Sequence, residues 1–252
     1  MINFLRNAAR KVFLYPLLHL IHRIISLILD QAPHPDNETY AFYEEEELRN
    51  CYNHFKKYFH QSIFLPSIDE IRDYAIYTAI SNHKKEYYYI EFGVWMGTSI
   101  KRTSKILETL NDGTVIYGFD SFQGLKDDWK GYSIAKGSFN LSNEIPRLND
   151  NCKIVEGWIE DTLPKFISEH KDLQINYVHV DTDTYSSTKV ILENIKPYLI
   201  DNAIIIFDDF YNFPGWSVGE YKALIEELEE QEFTYLAFSK TSHQVVIQYN
   251  KI

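Results

Sequence analysis

From residue 87 onward, short apolar runs alternate with amphipathic stretches. The runs are rich in β-branched and aromatic residues and cover 87–92, 114–119, 153–158, 175–180 and 203–208. Most of them are separated by stretches with helical spacing of apolar positions, at 98–110, 161–170 and 186–199. Strands that alternate with helices in this way predict a parallel sheet covered by helices on both faces, a doubly wound α/β fold.

The C-terminal end departs from this pattern. A helix is predicted at about 217–230, and the apolar runs 233–238 and 243–249 follow it with only a few residues between them. Because so short a link cannot contain a crossover helix, these two strands are expected to pair antiparallel. The predicted fold is therefore a mostly parallel, seven-stranded, Rossmann-like sheet with an antiparallel last strand.

The N-terminal part is expected to lie outside this sheet. Residues 1–30 carry four basic side chains but no acidic one before Asp30, and a wide apolar arc faces a narrow polar stripe. We interpret them as a basic amphipathic helix with two placements left open: against its own domain or a partner subunit, or on the cytoplasmic face of a membrane. Residues 31–64 are predicted to be a linker and a helical lid, followed by the α/β domain over 65–252.

Composition narrows the range of functions. The 252 residues include 36 acidic and 25 basic side chains, for a net charge of −11. A general nucleic-acid binder needs a basic surface to neutralise phosphates, so we do not expect a nucleic-acid partner. The two cysteines, Cys51 and Cys152, lack metal-ligand spacing and agree with a reduced, cytoplasmic setting.

Ligands of doubly wound sheets bind at the carboxyl ends of the strands, so the residues that follow each predicted strand are the candidates for chemistry. The first strand ends near Glu91 and leads into a turn framed by Gly93 and Gly97, after which Thr98 and Ser99 begin a helix. Free backbone N–H groups at a helix start suit a carboxylate or a phosphate. The G-x-x-x-G spacing is not the dinucleotide fingerprint, and Glu91 would repel a pyrophosphate but attract an ammonium group.

The second and third strands end in residues that suit a nucleoside. Asp120 lies about 27 residues after Gly93, where a carboxylate can reach ribose hydroxyls, although a capping role explains it equally well at this stage. Trp158, Ile159 and Glu160 could flank and bond an adenine ring, with core packing as the alternative for Trp158. Together the three strand ends describe a nucleoside that also carries an amine and a carboxylate.

The fourth and fifth strands end in carboxylates. Asp181 follows one of them, and the adjacent pair Asp208 and Asp209 follows the other. Three carboxylates cannot all stay ionised in one site without a cation or a proton. Oxygen ligands suit Mg²⁺, Mn²⁺ or Ca²⁺, so these residues are candidate metal ligands. Asp183 is interpreted as the cap of a local turn.

Five motifs occur in order between residues 66 and 249: EFGVWMGTS, YGFDSFQGL, VEGWIEDTLPKF, VHVDTDTYSST and IIIFDDFYNFPGW. With them the chain resembles the macrocin O-methyltransferase family of S-adenosylmethionine-dependent enzymes, and the layout is similar to that of catechol O-methyltransferase. The resemblance implies that residues 65–252 bind S-adenosylmethionine and Mg²⁺. The implied residues are Glu91, Gly93, Val94, Gly97 and Ser99 at the methionine portion, Asp120 at the ribose, Ile159 and Glu160 at the adenine, and Asp181, Asp208 and Asp209 on the metal. Their neighbours Thr98 and Ser121 complete the expected cofactor-binding set.

These expectations predict methyl transfer to a substrate hydroxyl, assisted by a divalent ion that lowers the pKa of that hydroxyl. Asp181 is the first candidate for the proton acceptor. His179 is the weaker candidate, because strand alternation is expected to turn it away from the neighbours of Asp181 and into the core. The lysine base of the catechol enzyme corresponds to Thr184 here, so the resemblance does not supply the base. A sugar diol is the acceptor class that the family suggests.

The acceptor pocket is expected to form from the variable segments. Residues 126–148 are predicted to be a lid, and Tyr211, Phe213 and Trp216 are expected to stack on a sugar ring. A lipid-linked sugar would fit as the acceptor if residues 1–30 lie on a membrane, and a homo-oligomer is a further possibility.

Three other classes compete with the transferase: a nicotinamide-dependent dehydrogenase, a metal-dependent hydrolase and a non-catalytic binding protein. The missing dinucleotide fingerprint argues against the dehydrogenase. A hydrolase would not require Glu91 and Asp120. A non-catalytic binding protein would explain neither group of carboxylates.

Overall fold

The computed structural model describes residues 38–82, 87–110, 113–132 and 134–252. The chain divides into two units, 1–43 and 44–252, and of the first unit only the start of helix α1 is described. The predicted amphipathic helix 1–30 and its membrane or subunit contacts lie outside the described residues. Among those residues, no helix is both long enough and apolar enough to cross a bilayer.

Eight strands and six α-helices form within the described residues. The strands are β1 (Ile63–Leu65), β2 (Tyr88–Phe92), β3 (Ile116–Asp120), β4 (Cys152–Glu156), β5 (Ile175–Val180), β6 (Leu199–Phe207), β7 (Phe233–Ser239) and β8 (Val245–Tyr249). The helices are α1 (Glu38–Phe55), α2 (Ile68–Asn82), α3 (Thr98–Leu110), α4 (Ile159–Glu169), α5 (Tyr185–Ile195) and α6 (Glu220–Glu227). Short 3₁₀ turns at Lys196–Tyr198, Trp216–Val218 and Glu230–Glu232 join some of them.

The strands form one sheet in the order β1-β7-β8-β6-β5-β2-β3-β4. Neighbouring strands are parallel except that β8 runs antiparallel to both β6 and β7. The expected doubly wound, Rossmann-like fold with an antiparallel last strand is therefore confirmed.

Strand β1 corrects the expected number of strands from seven to eight. It pairs in parallel with β7 at the edge of the sheet, within the segment predicted to be a linker and helical lid. Its three residues are too few for an alternating pattern to be recognised, and what makes them a strand is the pairing with β7, more than 170 residues later in the chain.

The central strands are buried on both faces, which explains why they appear in the sequence as continuous apolar runs. Every residue of β5 is buried, as are residues 203–207 of β6. One core layer includes Leu163 of α4 and Leu192 of α5, and the opposite layer includes Ile71 of α2 and Ile100 of α3. Helices thus cover both faces and leave the carboxyl ends of the strands to form a site.

The aromatic residues expected to stack on a sugar belong to the core instead. Tyr211, Phe213 and Trp216 are 6 %, 2 % and 6 % exposed. The ring of Phe55 from α1 lies 6.0 Å from that of Tyr211 and 5.3 Å from that of Trp216. The expectation was wrong because α1, whose position the sequence does not reveal, covers this segment.

Candidate active site

A cavity of about 480 Å³ lies at the carboxyl ends of the strands. Most of the predicted site residues line it: Gly93, Val94, Thr98, Ser99, Asp120, Ser121, Ile159, Glu160, Asp181, Asp208 and Asp209. Glu91 and Gly97 are not among the lining residues. Asp183 and Arg72, which the sequence did not assign to the site, are.

The turn after β2 brings two strand ends into backbone contact. Gly93 has a φ of +87°, and a Cβ built on it would lie only 1.8 Å from the carbonyl oxygen of Asp181. Any larger residue would therefore push the end of β2 away from the end of β5. Gly97 has a similar backbone, with a φ of +73°, and packs against the side chain of Leu148.

Asp120 fixes this turn through three backbone groups. Its Oδ2 accepts hydrogen bonds from the N–H groups of Val94 and Trp95, each at 2.7 Å, and its Oδ1 accepts one from Phe122 at 2.7 Å. The carboxylate thus ties the ends of β2 and β3 together and also lines the cavity. Its contact with a ribose remains a prediction.

The opposite wall joins the start of α4 to the long loop before β4. Trp158, Ile159 and Glu160 line the cavity, and the Glu160 carboxylate forms an ion pair with Lys126 of the loop. Trp129 and Phe139 of the predicted lid line the cavity as well. The loop therefore forms part of the site wall.

A line of paired polar side chains runs beneath the cavity. The Ser99 hydroxyl donates to Glu91 Oε1 at 2.7 Å, and His179 Nδ1 lies 3.0 Å from Glu91 Oε2. His179 Nε2 lies 3.2 Å from Asp208 Oδ1, to which Arg72 Nη2 donates at 2.6 Å. We call Glu91, His179, Asp208 and Arg72 the paired group.

The placement of His179 corrects an expectation. It is fully buried, and its two ring nitrogens contact carboxylate oxygens of Glu91 and Asp208. Strand alternation puts residues two apart on the same face, so it directs His179 to the side of Asp181 and not away from it.

The paired group is close to electrical balance. Burial disfavours a charged imidazole, but the hydrogen bonds to Asp208 and Glu91 outweigh it and raise the pKa of His179 to about 9. Burial likewise opposes an ionised Asp208, yet the hydrogen bond from His179 and the charge of Arg72 hold its pKa well below the usual range. Gln244 Nε2 donates to Asp208 Oδ2 at 3.0 Å, so both oxygens of this carboxylate accept hydrogen bonds.

Three other aspartates form what we call the open group: Asp181, Asp183 and Asp209. Each offers a carboxylate oxygen, and these oxygens lie within 4.8 Å of one another. Burial, followed by the charge of Asp209, raises the pKa of Asp183 to about 9. Burial and then the charge of Asp208 also raise the pKa of Asp181 and of Asp209. Without a cation, the open group therefore retains protons near neutral pH, because its carboxylates cannot all be ionised together.

Asp183 is interpreted from the sequence as the cap of a local turn, but in the structure it lines the cavity beside Asp209. Its backbone is left-handed, with a φ of +60°, and its side chain interacts with that of Asp209. Aspartate tolerates this conformation better than most residues. The predicted trio Asp181, Asp208 and Asp209 is thus spread over two groups of possible metal ligands: Asp181, Asp183 and Asp209 form one, and His179, Asp181 and Asp208 form the other.

Two further residues of the site escaped the sequence reasoning. Arg72 lies on α2, 109 residues before Asp181, and carries no local motif. Glu220 begins α6 and is fully buried, where its Oε2 accepts the backbone N–H of Asp209 at 2.9 Å. Acidic residues are common in a first helical turn, so Glu220 does not stand out as a site residue.

Part of the chain matches a known protein family, and characterised proteins resemble the chain as a whole or in part. Residues 90–210 match a family model described as a methyltransferase domain. The chain is 27 % identical over 206 residues to demethyldecarbamoylnovobiocin O-methyltransferase of Streptomyces niveus, covering 73 % of this chain and 76 % of that protein. It is 25 % identical over 139 residues to 8-demethyl-8-(2,3-dimethoxy-alpha-L-rhamnosyl)-tetracenomycin-C 4'-O-methyltransferase of Streptomyces olivaceus, covering 48 % and 52 %.

Solved structures show the same fold. A calicheamicin methyltransferase superimposes with a TM-score of 0.61 at 21 % identity, over 91 % of each chain. The O-methyltransferase NovP superimposes with a TM-score of 0.52 at 22 % identity, over 73 % of this chain and 79 % of its own. The methyltransferase match decides against the dehydrogenase, hydrolase and non-catalytic alternatives. Residues 90–210 thus match a methyltransferase domain, and the characterised proteins similar to this chain are O-methyltransferases, in agreement with its five motifs.

Proposed function

We propose that this enzyme transfers the methyl group of S-adenosylmethionine to a hydroxyl of an uncharged, sugar-bearing small molecule, with the help of a divalent cation. The observation that carries the proposal is the single cavity that joins the predicted cofactor residues to the open group. A donor and an acceptor bound in one cavity can be held in line for displacement at the methyl carbon, and such alignment supplies a large part of the rate.

The cofactor is proposed to lie along the turn after β2 and the start of α4. Ser99 lines the cavity and donates its proton to Glu91, which leaves its oxygen lone pairs to accept from an ammonium group. Glu91 would thus act on the methionine amine through Ser99 and not by direct contact. Asp120 retains acceptor capacity for ribose hydroxyls besides its three backbone bonds, and Ile159 with Glu160 would border the adenine.

The open group fits a divalent cation. It offers only oxygen donors, which suit Mg²⁺ or Mn²⁺, and the raised pKa values of its carboxyl groups reflect negative charge that a cation would balance. We place Asp183, rather than Asp208, beside Asp181 and Asp209, because both oxygens of Asp208 already accept hydrogen bonds. A cation bound here would supply Lewis acidity that lowers the pKa of the acceptor hydroxyl.

Asp181 is proposed to receive the proton of that hydroxyl. It lines the cavity at the end of β5 and belongs to the open group, so its carboxylate can reach a hydroxyl that is held there. Asp183 and Asp209 would keep the acceptor oxygens near it. The chain thus supplies both orientation and proton transfer.

The charges around the cavity support an uncharged acceptor. Six acidic side chains line it: Asp120, Glu160, Asp181, Asp183, Asp208 and Asp209. The basic side chains among the described lining residues are Arg72 and Lys126, and each is already paired with at least one of those acids. A diphosphate would therefore meet repulsion, which favours a sugar on a neutral glycoside over a nucleotide-linked sugar. One curated relative is named for a rhamnosyl acceptor.

Calorimetric titration with S-adenosylmethionine tests the cofactor site. We expect micromolar binding to the wild type and a loss of about tenfold or more in Asp120→Ala, because the turn after β2 loses its carboxylate anchor. Glu169→Ala is the matched control, since it removes an exposed carboxylate outside the cavity lining. Absence of binding to the wild type would overturn the proposal.

Methyl transfer to paired acceptors tests the substrate class. Each neutral glycoside would be compared with the nucleotide diphosphate form of the same sugar, using labelled S-adenosylmethionine and detection of products by mass spectrometry. Methylation of the neutral member is expected. Methylation confined to the nucleotide-linked sugars would contradict the proposed acceptor.

A further inference from the structure

We propose that His243 is a positioning residue that connects the lid (126–148) to the cation site. One of its ring nitrogens directs the carboxylate of Asp209, and the other holds Tyr132 of the lid. This role rests on the proposed function, in which Asp209 is a ligand of the cation. His243 is not among the residues that line the cavity, so it acts through these two neighbours.

His243 reaches Asp209 from the loop between β7 and β8. Its Nδ1 lies 3.4 Å from Asp209 Oδ1. The carbonyl oxygen of His243 also accepts hydrogen bonds from the backbone N–H groups of Phe210 and Tyr211, at 3.1 and 3.3 Å, which holds the loop against the segment after β6. A side chain that bonds to a metal-ligating carboxylate from outside orients that ligand and so affects the affinity for the metal.

The second ring nitrogen of His243 faces the lid. Its Nε2 lies 3.1 Å from the hydroxyl oxygen of Tyr132. The ring of Tyr132 stacks on that of Phe213, with centroids 5.3 Å apart and an angle of 10° between the planes. Trp129 lines the cavity, and its ring centroid lies 4.7 Å from that of Tyr132. Two side chains, Tyr132 and His243, therefore connect a wall of the cavity to a candidate cation ligand.

A neutral imidazole can serve both contacts in one arrangement of protons. The ionised carboxylate of a cation ligand only accepts hydrogen bonds, so Nδ1 of His243 carries the proton and donates to Asp209. Nε2 then has a lone pair, which accepts a hydrogen bond from the Tyr132 hydroxyl. Because the two contacts use different atoms of the ring, side-chain amides of different length can preserve one contact and remove the other.

Mn²⁺ affinity, measured by electron paramagnetic resonance without methyl donor or acceptor, tests the contact with Asp209. In His243→Asn the amide nitrogen takes the place of Nδ1, and the affinity is expected to stay within about threefold of the wild type. In His243→Gln the amide takes the place of Nε2 and the contact with Asp209 is lost, so we expect the affinity to fall about tenfold. Equal affinities in the two variants, or the reverse order, would overturn the inference, since a loss of packing alone affects both.

Trypsin cleavage tests the contact with the lid, which carries the exposed residues Lys126, Lys130 and Lys136. We expect cleavage at these sites to be at least about threefold faster in His243→Asn and in Tyr132→Phe, because both lose the hydrogen bond between the two side chains. His243→Gln should stay near the wild type. Tyr132→Phe keeps the stacked ring and should fold even if both histidine variants fold poorly, and unchanged cleavage in it would overturn the inference.

The connection itself is measured as an effect of Mn²⁺ on the lid. A cation that fixes Asp209 should also fix His243 and Tyr132, so saturating Mn²⁺ is expected to slow cleavage of the wild-type lid at least about threefold. The effect should disappear in Tyr132→Phe, which retains the cation ligands. Protection of equal size in both proteins would show that the lid responds to the cation without this connection and would overturn the inference.

His54→Gln is the matched control. His54 Nε2 lies 2.8 Å from the hydroxyl oxygen of Tyr221, a pair of the same kind, but neither residue lines the cavity. Its loss should leave Mn²⁺ affinity and cleavage of the lid unchanged. A loss of Mn²⁺ affinity as large as that in His243→Gln would show that the effect is not particular to His243 and would overturn the inference.

The role of His243 and the proposed function can fail separately. Calorimetric titration of the same proteins with S-adenosylmethionine measures cofactor binding. If the wild type binds this cofactor but not Mn²⁺, the role of His243 is refuted while methyl transfer stands. If the variants bind Mn²⁺ in the expected order but the wild type does not bind the cofactor, the proposed function is refuted while the connection between lid and cation stands.

Discussion

The paired group and the open group use the same kind of side chain to opposite effect. In the paired group, Asp208 lies between Arg72 and His179, and its pKa is held well below the usual range. In the open group, Asp183 faces Asp209, and its pKa rises to about 9. The neighbours of a buried carboxylate, and not its burial alone, therefore decide whether it stays charged.

Asp208 and Asp209 are adjacent but fall into different groups, because side chains alternate between the two faces of the sheet along β6. Ile204 and Ile206 of β6 face the layer of α2 and α3, whereas Ile205 and Phe207 face the other layer. Continued alternation turns Asp208 toward Arg72 on α2 and turns Asp209 away from it. A strand end with two successive aspartates can therefore serve both groups.

The largest effect on stability is expected from Asp208→Asn. It leaves Arg72 and His179 buried without their shared carboxylate, and breaking a buried pair in this way costs about 4 kcal/mol of unfolding free energy. Urea denaturation in the presence of a chelator measures the change. A loss well below about 1 kcal/mol would mean that the pair is not the stabilising element of the site.

The next effect is the pH dependence of His179. Its pKa is about 9 in the folded chain against 6.5 for an ordinary histidine, so its contribution to stability is complete below pH 6.5 and is lost as the pH rises through 9. The full contribution is about 3 kcal/mol. The difference in unfolding free energy between wild type and His179→Gln should shrink by about this amount over that range. A difference that does not vary with pH would contradict the charged state of His179.

Asp183→Asn should act in the opposite direction from Asp208→Asn. Removal of one carboxyl group from the open group relieves repulsion, so we expect the protein without added metal to gain about 1 to 2 kcal/mol of unfolding free energy. The measurement is the same urea titration with chelator. A loss of stability would show that the open group is balanced by contacts other than a cation.

The smallest effect is expected from Arg102→Met. Its pairs with Asp69 and Asp73 are exposed to solvent, so their loss should cost less than about 1 kcal/mol. Thermal unfolding of this variant beside Arg72→Met separates the loss of any arginine from the loss of the buried one. An equal loss of stability in both variants would mean that Arg72 contributes no more to the fold than the exposed Arg102 does.

The parts of the site that can be predicted from the sequence are those that lie at the ends of recognisable strands. Strands β5 and β6 are recognisable because burial on both faces makes them continuous apolar runs, and parallel strands bring Asp181, Asp208 and Asp209 to one edge. The cofactor motifs are recognisable for a related reason. Gly93 and Asp120 stand at strand ends, where a short contact between neighbouring strands requires them.

The remaining parts depend on contacts between distant segments. Arg72 occupies an ordinary polar position of α2, and only the packing of that helix brings it to residues more than 100 positions later. Asp183 reaches Asp209 through a left-handed backbone in a loop, a conformation that an aspartate permits but does not require. The local sequence pattern therefore predicts neither the contacts of Arg72 nor the backbone conformation of Asp183.

The most direct test of the two groups of aspartates compares Mn²⁺ affinity in Asp183→Asn and Asp208→Asn, two changes of identical chemistry only 25 positions apart. We expect Asp183→Asn to weaken Mn²⁺ binding by more than Asp208→Asn does, because the first change removes a ligand of the open group and the second removes a charge beside it. The reverse order, with Asp208→Asn losing the ion and Asp183→Asn retaining it, would contradict the division of the site into a paired and an open group.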